Sequence, residues 1–304
     1  MSISPKPKKR LIITGSTGFV GRHFLKAYQD QYEIVPVDLR RIPVDRLDFK
    51  NVDCILHLAA CVHQMKGAPE QLYFSINTNL TEALALHAKK NQVRHFIFMS
   101  TAHVYADHGH LNHSVAYSET SPCQPHGPYA RSKWEAEKCL RQLEDSQFIV
   151  SVIRSPLIYG GQAKGNLPVL AKLVKLCPIL PFAESRNLRS LVFVGNLIEL
   201  IHLVAEKSLG GVFLPQDEKP LSLQELTRSL ALVQNRRIWL FSFPGFLFKV
   251  LYKFRPDVMT RLFGTLALDS SATNERLQYL PRWQSLDGFQ AMLSPSSQSP
   301  ESSR

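Results

Sequence analysis

Through the first half of the chain, short apolar runs alternate with longer stretches in which apolar residues recur every three or four positions. The runs are "RLIITG", "YEIVPVD", "DCILHLAA", "HFIFMST" and "FIVSVIR". Between them lie "FVGRHFLKAYQD", "FSINTNLTEALALHAKKN" and "YARSKWEAEKCLRQLED". Near-continuous apolar runs predict strands covered on both faces, and the longer spacing predicts helices with one apolar face. Their alternation predicts βα units wound about a parallel sheet. The expected fold class is α/β, a Rossmann-type doubly wound parallel sheet.

The rhythm stops after Pro156. Gly160, Gly161 and Gly165 open an irregular region in which helical patterns such as "LPVLAKLVKL" and "LSLQELTRSLALV" alternate with proline-rich joints. The pattern predicts a Rossmann domain over 8–157, with 190–212 returning to it. A smaller, mostly helical substrate-facing portion is predicted over 158–189 and 213–290. Residues 291–304 are polar and proline-bearing, and are expected to be disordered. There are no internal repeats.

With 304 residues, 44% of them hydrophobic, the chain can bury a sizeable core. Its net charge of +11 admits nucleic acid, anionic lipid or an anionic small molecule as partner. Part of that charge sits in the leading "KPKKR", which reads as a solvated tail. No RNA-binding signature or zinc-finger spacing follows it, so nucleic acid is not expected, and a phosphate-bearing small substrate accounts for the charge more economically. The five cysteines, Cys54, Cys61, Cys123, Cys139 and Cys177, have neither CxxC spacing nor a metal-ligand arrangement with histidine, and read as reduced thiols with no metal. The N-terminus has no apolar signal region, so the cytoplasm is the expected compartment. The most apolar stretch, Ile238 to Tyr252, is interrupted by Pro244, Gly245 and Lys249, and predicts a buried helix after a loop instead of a membrane span. Peripheral contact with a membrane stays open.

Candidate chemistry enters with "PYARSKWEAEK". Tyr129 and Lys133 stand at i and i+4 on one helix face, which would bring an ammonium close to a phenol. A nearby cation favours the phenolate, and so suits a tyrosine that exchanges protons with a hydroxyl. A solvated surface helix would account for Glu135, Glu137 and Lys138, with Trp134 as its anchor. The first strand runs into "TGSTGFVG", with Gly15, Gly18 and Gly21 between a strand and a helix and Thr17, Phe19 and Val20 among them. Missing side chains there let backbone amides and a helix N-terminus meet a pyrophosphate. Asp38 closes the second strand at the distance of a carboxylate that accepts hydrogen bonds from an adenosine ribose, favouring NAD. Arg40 and Arg41 follow it and could hold a 2′-phosphate instead, so NADP remains the alternative. Asp48 could address the adenine or be a turn carboxylate.

Taken in order, "TGSTGFVG", Asp38, "HLAA", Asn77, "STAHVY", "YARSK", "RSPLIYGG" and "RSLVFVGNL" resemble the extended short-chain dehydrogenases/reductases, in the branch of NAD-dependent nucleotide-sugar epimerases and dehydratases. The resemblance runs from about Leu11 to about Gly288, and "PHGPYARSKWEAE" and "RSLVFVGNL" are most similar to the UDP-glucose 4-epimerase-like subgroup. It implies that Thr101, Tyr129 and Lys133 are catalytic, with Lys133 also holding the nicotinamide ribose. It places Leu58, Ala59 and Ala60, just after His57, along the cofactor and Asn77 beside the active site. It maps Asn166, Leu167 and Arg189 onto the segments beside a nucleotide-sugar diphosphate, with Arg261 as a second clamp and His103 in reach of substrate.

Two departures from the family pattern matter. Ala102 and His103 stand where the dehydratases carry an Asp-Glu pair, so 4,6-dehydration is not expected. Leu80 replaces a usual glycine. The resemblance implies a homodimer that oxidises a UDP-linked sugar to a transient 4-keto sugar and re-reduces it. An NAD(P)H-dependent reductase of a 4-keto sugar would use the same residues. A catalytically idle NAD-binding regulator is the reading from another class.

Overall fold

The computed structural model describes residues 8–62, 68–106, 115–163, 165–183, 185, 187–242 and 245–294. In chain order the elements are β1 (Arg10–Thr14), α1 (Phe19–Tyr28), β2 (Glu33–Val37), β3 (Cys54–His57), α2 (Glu70–Phe74), α3 (Leu80–Lys90), β4 (His95–Thr101), α4 (Pro128–Leu143) and β5 (Ile149–Ser155). There follow β6 (Leu157–Tyr159), α5 (Asn166–Leu176), β7 (Ile179–Ala183), β8 (Leu191–Phe193), α6 (Val194–Lys207), β9 (Gly211–Phe213), α7 (Leu223–Val233), β10 (Trp239–Ser242), α8 (Gly245–Phe254), α9 (Pro256–Phe263), α10 (Ser271–Leu277) and α11 (Ser285–Leu293). The chain forms two compact units, Met1–Val104 with Pro125–Arg154 and Leu200–Phe213, and Tyr105–Gln124 with Ser155–Glu199 and Leu214–Arg304.

The first unit is built on a six-stranded sheet in the order β2-β1-β3-β4-β5-β9. β1 pairs in parallel with both β2 and β3, and β3 with β4, so the chain reverses its direction of strand addition at β1. Ligands of such sheets bind at the carboxyl ends of the strands, beside that reversal. Every residue of β3 is buried, as a strand covered on both faces requires. Ile12, Ile55, Phe96 and Phe98 join Leu84 and Ala88 of α3 and Leu140 of α4 in one core. Their alternates Leu11, Ile13, Leu56 and Ile97 are equally inaccessible on the other face. Each such side chain contributes about 1.5–3 kcal/mol on burial. Between α2 and α3 one π-helical turn, Ser75–Asn79, joins what the sequence predicts as a single helix. Such turns are frequent at functional sites, and this one carries Asn77.

The second unit contains two small parallel sheets, β7 with β10 and β6 with β8, where the sequence predicts mainly helices. Its core includes Tyr159, Leu167, Leu226, Leu230 and Phe289. A polar knot locks the motif tyrosine and asparagine in place. Asp217 accepts from the Tyr159 hydroxyl at 2.6 Å, the Asn196 amide at 2.7 Å and the Phe193 backbone at 2.9 Å, and Asn196 also donates to the Trp283 carbonyl at 2.8 Å. Burial holds the Asp217 carboxyl up at about 6. Ser222 and Glu225 form a capping box that starts α7.

Boundaries differ from the sequence reading in three places. Residues 105–124 belong to the second unit because Tyr117 forms a backbone bridge with Leu268. Only Leu200–Phe213, not all of 190–212, belongs to the first, since Asn196 is tied to Asp217. The expected disordered tail begins too early at 291: α11 continues to Leu293 with Met292 buried. Residues 295–304 of that tail lie outside the described residues. The stretch Ile238 to Tyr252 is also corrected, for it contains strand β10 and the start of α8, and every α8 residue with a described side chain is exposed. Apolar composition states what a helix would gain from a partner, and the core of this unit is filled by other elements.

Candidate active site

The turn after β1 is shaped by backbone approach. Gly15 has φ +69°, and a Cβ there would lie 2.7 Å from the Ala59 nitrogen. A Cβ on Gly21 would strike the Gly15 carbonyl and Ser16, so the helix can sit against the turn only without one. Gly18 donates to Gly15 at 3.0 Å and starts α1 without a side-chain cap, leaving first-turn amides open beside exposed Thr17 and half-buried Phe19 and Val20. Such amides are suited to a diphosphate. Leu58 donates to the Thr14 carbonyl at 3.2 Å and Ala59 to the Thr14 hydroxyl at 3.3 Å, which holds Leu58, Ala59 and Ala60 against the turn.

His57 opens the segment, His57 to Ala60, that the resemblance sets along the cofactor. It is fully buried, with Nδ1 2.7 Å from the Thr14 hydroxyl and Nε2 2.9 Å from that of Thr81. Burial, with Lys133 nearby, pushes it down to about 3, so it is neutral and structural. Asn77 is likewise enclosed: it accepts from the Cys61 backbone at 2.8 Å and donates to the Cys61 carbonyl and the Ser132 hydroxyl, both at 3.0 Å. It therefore fastens the loop after β3 to α4.

Asp38 lies directly after β2, as expected. Its carboxylate accepts two bonds from the Arg40 guanidinium, at 2.9 and 2.8 Å, and one from the Arg40 backbone at 3.1 Å. Those bonds lower its pKa to about 2. Asp48 is exposed and accepts from the Lys50 backbone at 2.9 Å, the geometry of a turn carboxylate.

The structure brings Thr101, Tyr129 and Lys133 together at the end of β4. Thr101 closes that strand, buried, and accepts from the His103 backbone at 3.2 Å; His103 is half-buried on a short 3-10 turn, Ala102–Val104. Pro128 opens α4 at a position where its missing N–H costs nothing, and Tyr129 follows. Burial raises the Tyr129 phenol to about 12, opposed by a hydrogen bond with Thr101. The phenol therefore lies above its ordinary value where a depression by Lys133 was expected, burial being the largest cause. The Lys133 ammonium donates to the Met99 carbonyl at 2.8 Å and lies 4.4 Å from the centre of the Phe98 ring. Lys133 is 1% exposed, and burial lowers it to about 7, with Glu137 pulling it back up.

Glu137, expected to be a solvated charge, is 1% exposed. It takes the Ser100 hydroxyl at 2.5 Å and Arg154 at 2.7 and 3.1 Å, and Arg154 lies 5.5 Å from the Trp134 ring. It stands four residues after Lys133, on the same face of α4.

The remaining sequence candidates belong to the second unit. Asn166 is exposed at the start of α5, after Gly165 at φ +130°. Leu167 is in the apolar core, so its side chain does not serve as a polar contact. Arg189 is largely enclosed, donates to the Thr260 carbonyl at 3.0 Å and is lowered by burial to about 10. That bond places it one residue from Arg261, which is exposed. Among the described residues no His, Cys, Asp or Glu cluster could hold a metal ion, and no helix is long and apolar enough to cross a membrane.

The glycine turn after β1, the carboxylate after β2 and the group of Thr101, Tyr129 and Lys133 at the end of β4 all belong to the first unit, a doubly wound sheet. The chain belongs to the NAD dependent epimerase/dehydratase family, whose sequence model matches residues 11–213. It is 32% identical to a UDP-glucose 4-epimerase of Vibrio cholerae, over 93% of this chain and 94% of that protein. It is 25% identical to an N-acetyl-alpha-D-glucosaminyl-diphospho-ditrans,octacis-undecaprenol 4-epimerase of Escherichia coli O157:H7, over 75% and 73%. In fold it resembles the UDP-N-acetylglucosamine 4-epimerase of Bacillus cereus, with a TM-score of 0.73, 17% identity and coverage of 93% and 97%. MoeE5, solved with UDP-glucose and NAD, aligns with a TM-score of 0.72 at 18% identity over 93% and 97%.

The buried pair yields a stability test. Glu137→Gln leaves Arg154 without its counter-charge, and is expected to lower unfolding free energy by about 3–5 kcal/mol in urea titration. Glu137→Leu combined with Arg154→Met should recover most of that loss.

Proposed function

We propose that the chain is a nucleotide-sugar 4-epimerase, acting on a UDP-linked sugar by oxidation to a transient 4-keto sugar and re-reduction. The observation that carries this reading is the convergence of Thr101, Tyr129 and Lys133 at one strand end, with Ala102 and His103 beside them. Removing water from a sugar needs an acid and a base next to the reacting carbons. Ala102 supplies neither and His103 offers one such group where two are needed, which favours oxidation and reduction at one carbon.

NAD, when bound, would supply the acceptor and then the donor of the hydride at the sugar carbon. The turn from Gly15 to Gly21 is proposed to take its diphosphate, because α1 starts there without a side-chain cap and offers its first-turn amides. Asp38 is proposed to accept the ribose hydroxyls, and Asn77 to position the loop of Leu58 to Ala60 beside the cofactor. Tyr129 takes the proton from the sugar hydroxyl, with Thr101 holding that hydroxyl and the phenol in line. Burial holds the phenol at about 12, so Tyr129 acts as base only after giving up its own proton, a loss that a positive charge brought beside it would favour. Lys133, poised near 7, can hold or release a proton at physiological pH while it steadies the nicotinamide ribose. His103 is proposed to touch the sugar, and Asn166, Arg189 and Arg261 to address the substrate diphosphate, with the Leu167 backbone beside them.

A homodimer in the cytoplasm completes the proposal, supported on the second point by five cysteines that are all free thiols. Light scattering reads the first directly.

Purified protein should retain NAD and interconvert UDP-sugar epimers without added cofactor. A requirement for added NAD(P)H with net reduction of a keto sugar would assign it as a reductase. Tyr129→Phe should keep NAD bound and lose about 10²- to 10⁴-fold in turnover, since it deletes one hydroxyl with little change in volume. Near-normal turnover would remove Tyr129 from the chemistry. Arg189→Ala should raise KM for the nucleotide sugar far more than it lowers kcat, because a phosphate contact is shared by ground and transition states. Collapse of kcat with unchanged KM would reassign Arg189.

A further inference from the structure

Helix α8 differs from every core helix of the second unit: each of its residues with a described side chain is exposed, and most are apolar. Phe246 is 74% exposed and Phe254 73%, with Val250 between them at four-residue spacing. Those three form one stripe along the helix, and Lys249 and Lys253 form the neighbouring row. Strand β10 continues the same chemistry. Trp239 is 79% exposed and pairs in register with Ile179 of β7, itself exposed, and Phe241 is exposed as well. Ser242 and Gly245 are three residues apart, so the ends of strand and helix lie within about 11 Å. An apolar surface of this kind in water marks an interaction site.

The charge around it selects the occupant. Residues 226–256 contain six cations, Arg228, Arg236, Arg237, Lys249, Lys253 and Arg255, and no Asp or Glu. A second copy meeting this patch about a two-fold axis would set cations against cations. A surface of lipid phosphates is complementary to it. The helix has ten residues, half the length needed to span a hydrocarbon core of about 30 Å, so it would lie in the plane of the interface. An exposed tryptophan beside it suits the headgroup level.

We propose that α8 and β10 form a docking surface for an anionic lipid bilayer, with Phe246, Val250, Phe254 and Trp239 entering the headgroup boundary and the lysines and arginines against lipid phosphates. This rests on the surface alone and stands apart from the reading of the catalytic group.

Co-sedimentation of the full-length protein with vesicles tests it. Binding is expected to vesicles of phosphatidylcholine mixed with phosphatidylglycerol, to weaken with added salt, and to be far weaker on phosphatidylcholine alone. Lys249→Glu with Lys253→Glu should reduce binding about thirtyfold or more, at roughly fivefold for each cation lost. Phe246→Ser with Phe254→Ser should reduce it about tenfold or more. Both variants should unfold thermally like the parent, which separates loss of docking from loss of fold. Equal binding to neutral vesicles, no binding to either, or variants that bind like the parent would overturn the proposal. So would self-association that Phe246→Ser abolishes, or capture of an acidic protein without vesicle binding.

Discussion

Helix α4 meets the sheet with Lys133 and Glu137 turned inward, one turn apart, and two desolvated charges so placed have to be compensated or neutralised. The two are treated differently. Glu137 receives Arg154 from β5 and Ser100 from β4, so both of its oxygens are hydrogen-bonded and it faces an opposite charge. Lys133 receives only a carbonyl and an aromatic face from the same strand, so its proton is held loosely. The consequence is geometric as well as electrostatic. Three consecutive residues of β4, Met99, Ser100 and Thr101, are fixed relative to α4, two of them directly by bonds to its inward face. Tyr129, on the first turn of that helix, is thereby set opposite the end of the strand.

A second frame holds the glycine-turn end of the first unit without using a charge. His57 stands between Thr14 and Thr81, joining β1, β3 and α3 through one neutral ring. Asn77 does the equivalent for the following loop, and the π turn that carries it gives the side chain access to Cys61 and Ser132 together. Each of these polar side chains is buried with partners, so the cost of burying it is met within the chain. The glycine turn can then present bare amides, because its position is fixed by neighbours on both sides and not by side chains of its own.

The features legible in sequence were those encoded by period and by backbone need. Strand runs covered on both faces, the step from Tyr129 to Lys133 and the glycines at tight approaches each leave a local trace. Glu137 left none that distinguished it from a surface charge, since its partner Arg154 is brought to it only by the pairing of β5 into the sheet. Asp217, the acceptor of the Tyr159–Asn196 knot, was invisible for the same reason: its donors come from β6, β8 and α6. The apolar stretch beginning at Ile238 failed in the opposite sense. Hydropathy measures what a side chain would gain by leaving water, and whether anything is there to receive it is a property of the whole fold.

Asp38 shows how a sequence alternative can become a structural coupling. In sequence, an acid and two arginines pointed to different cofactors; in the fold, Arg40 grips Asp38 through both carboxylate oxygens, with Arg41 at 3.7 Å. A carboxylate has about four lone-pair sites, so it can accept ribose hydroxyls while it keeps the arginine. A 2′-phosphate sets a harder condition. Asp38, held near 2, stays ionised across the physiological range, so Arg40 would have to leave it and expose an unpaired anion beside another. The two exposed arginines are therefore not independent votes for NADP. Bound to the acid, Arg40 offsets part of its negative charge and still leaves the carboxylate able to accept further hydrogen bonds, an arrangement better suited to hydroxyls than to a phosphate.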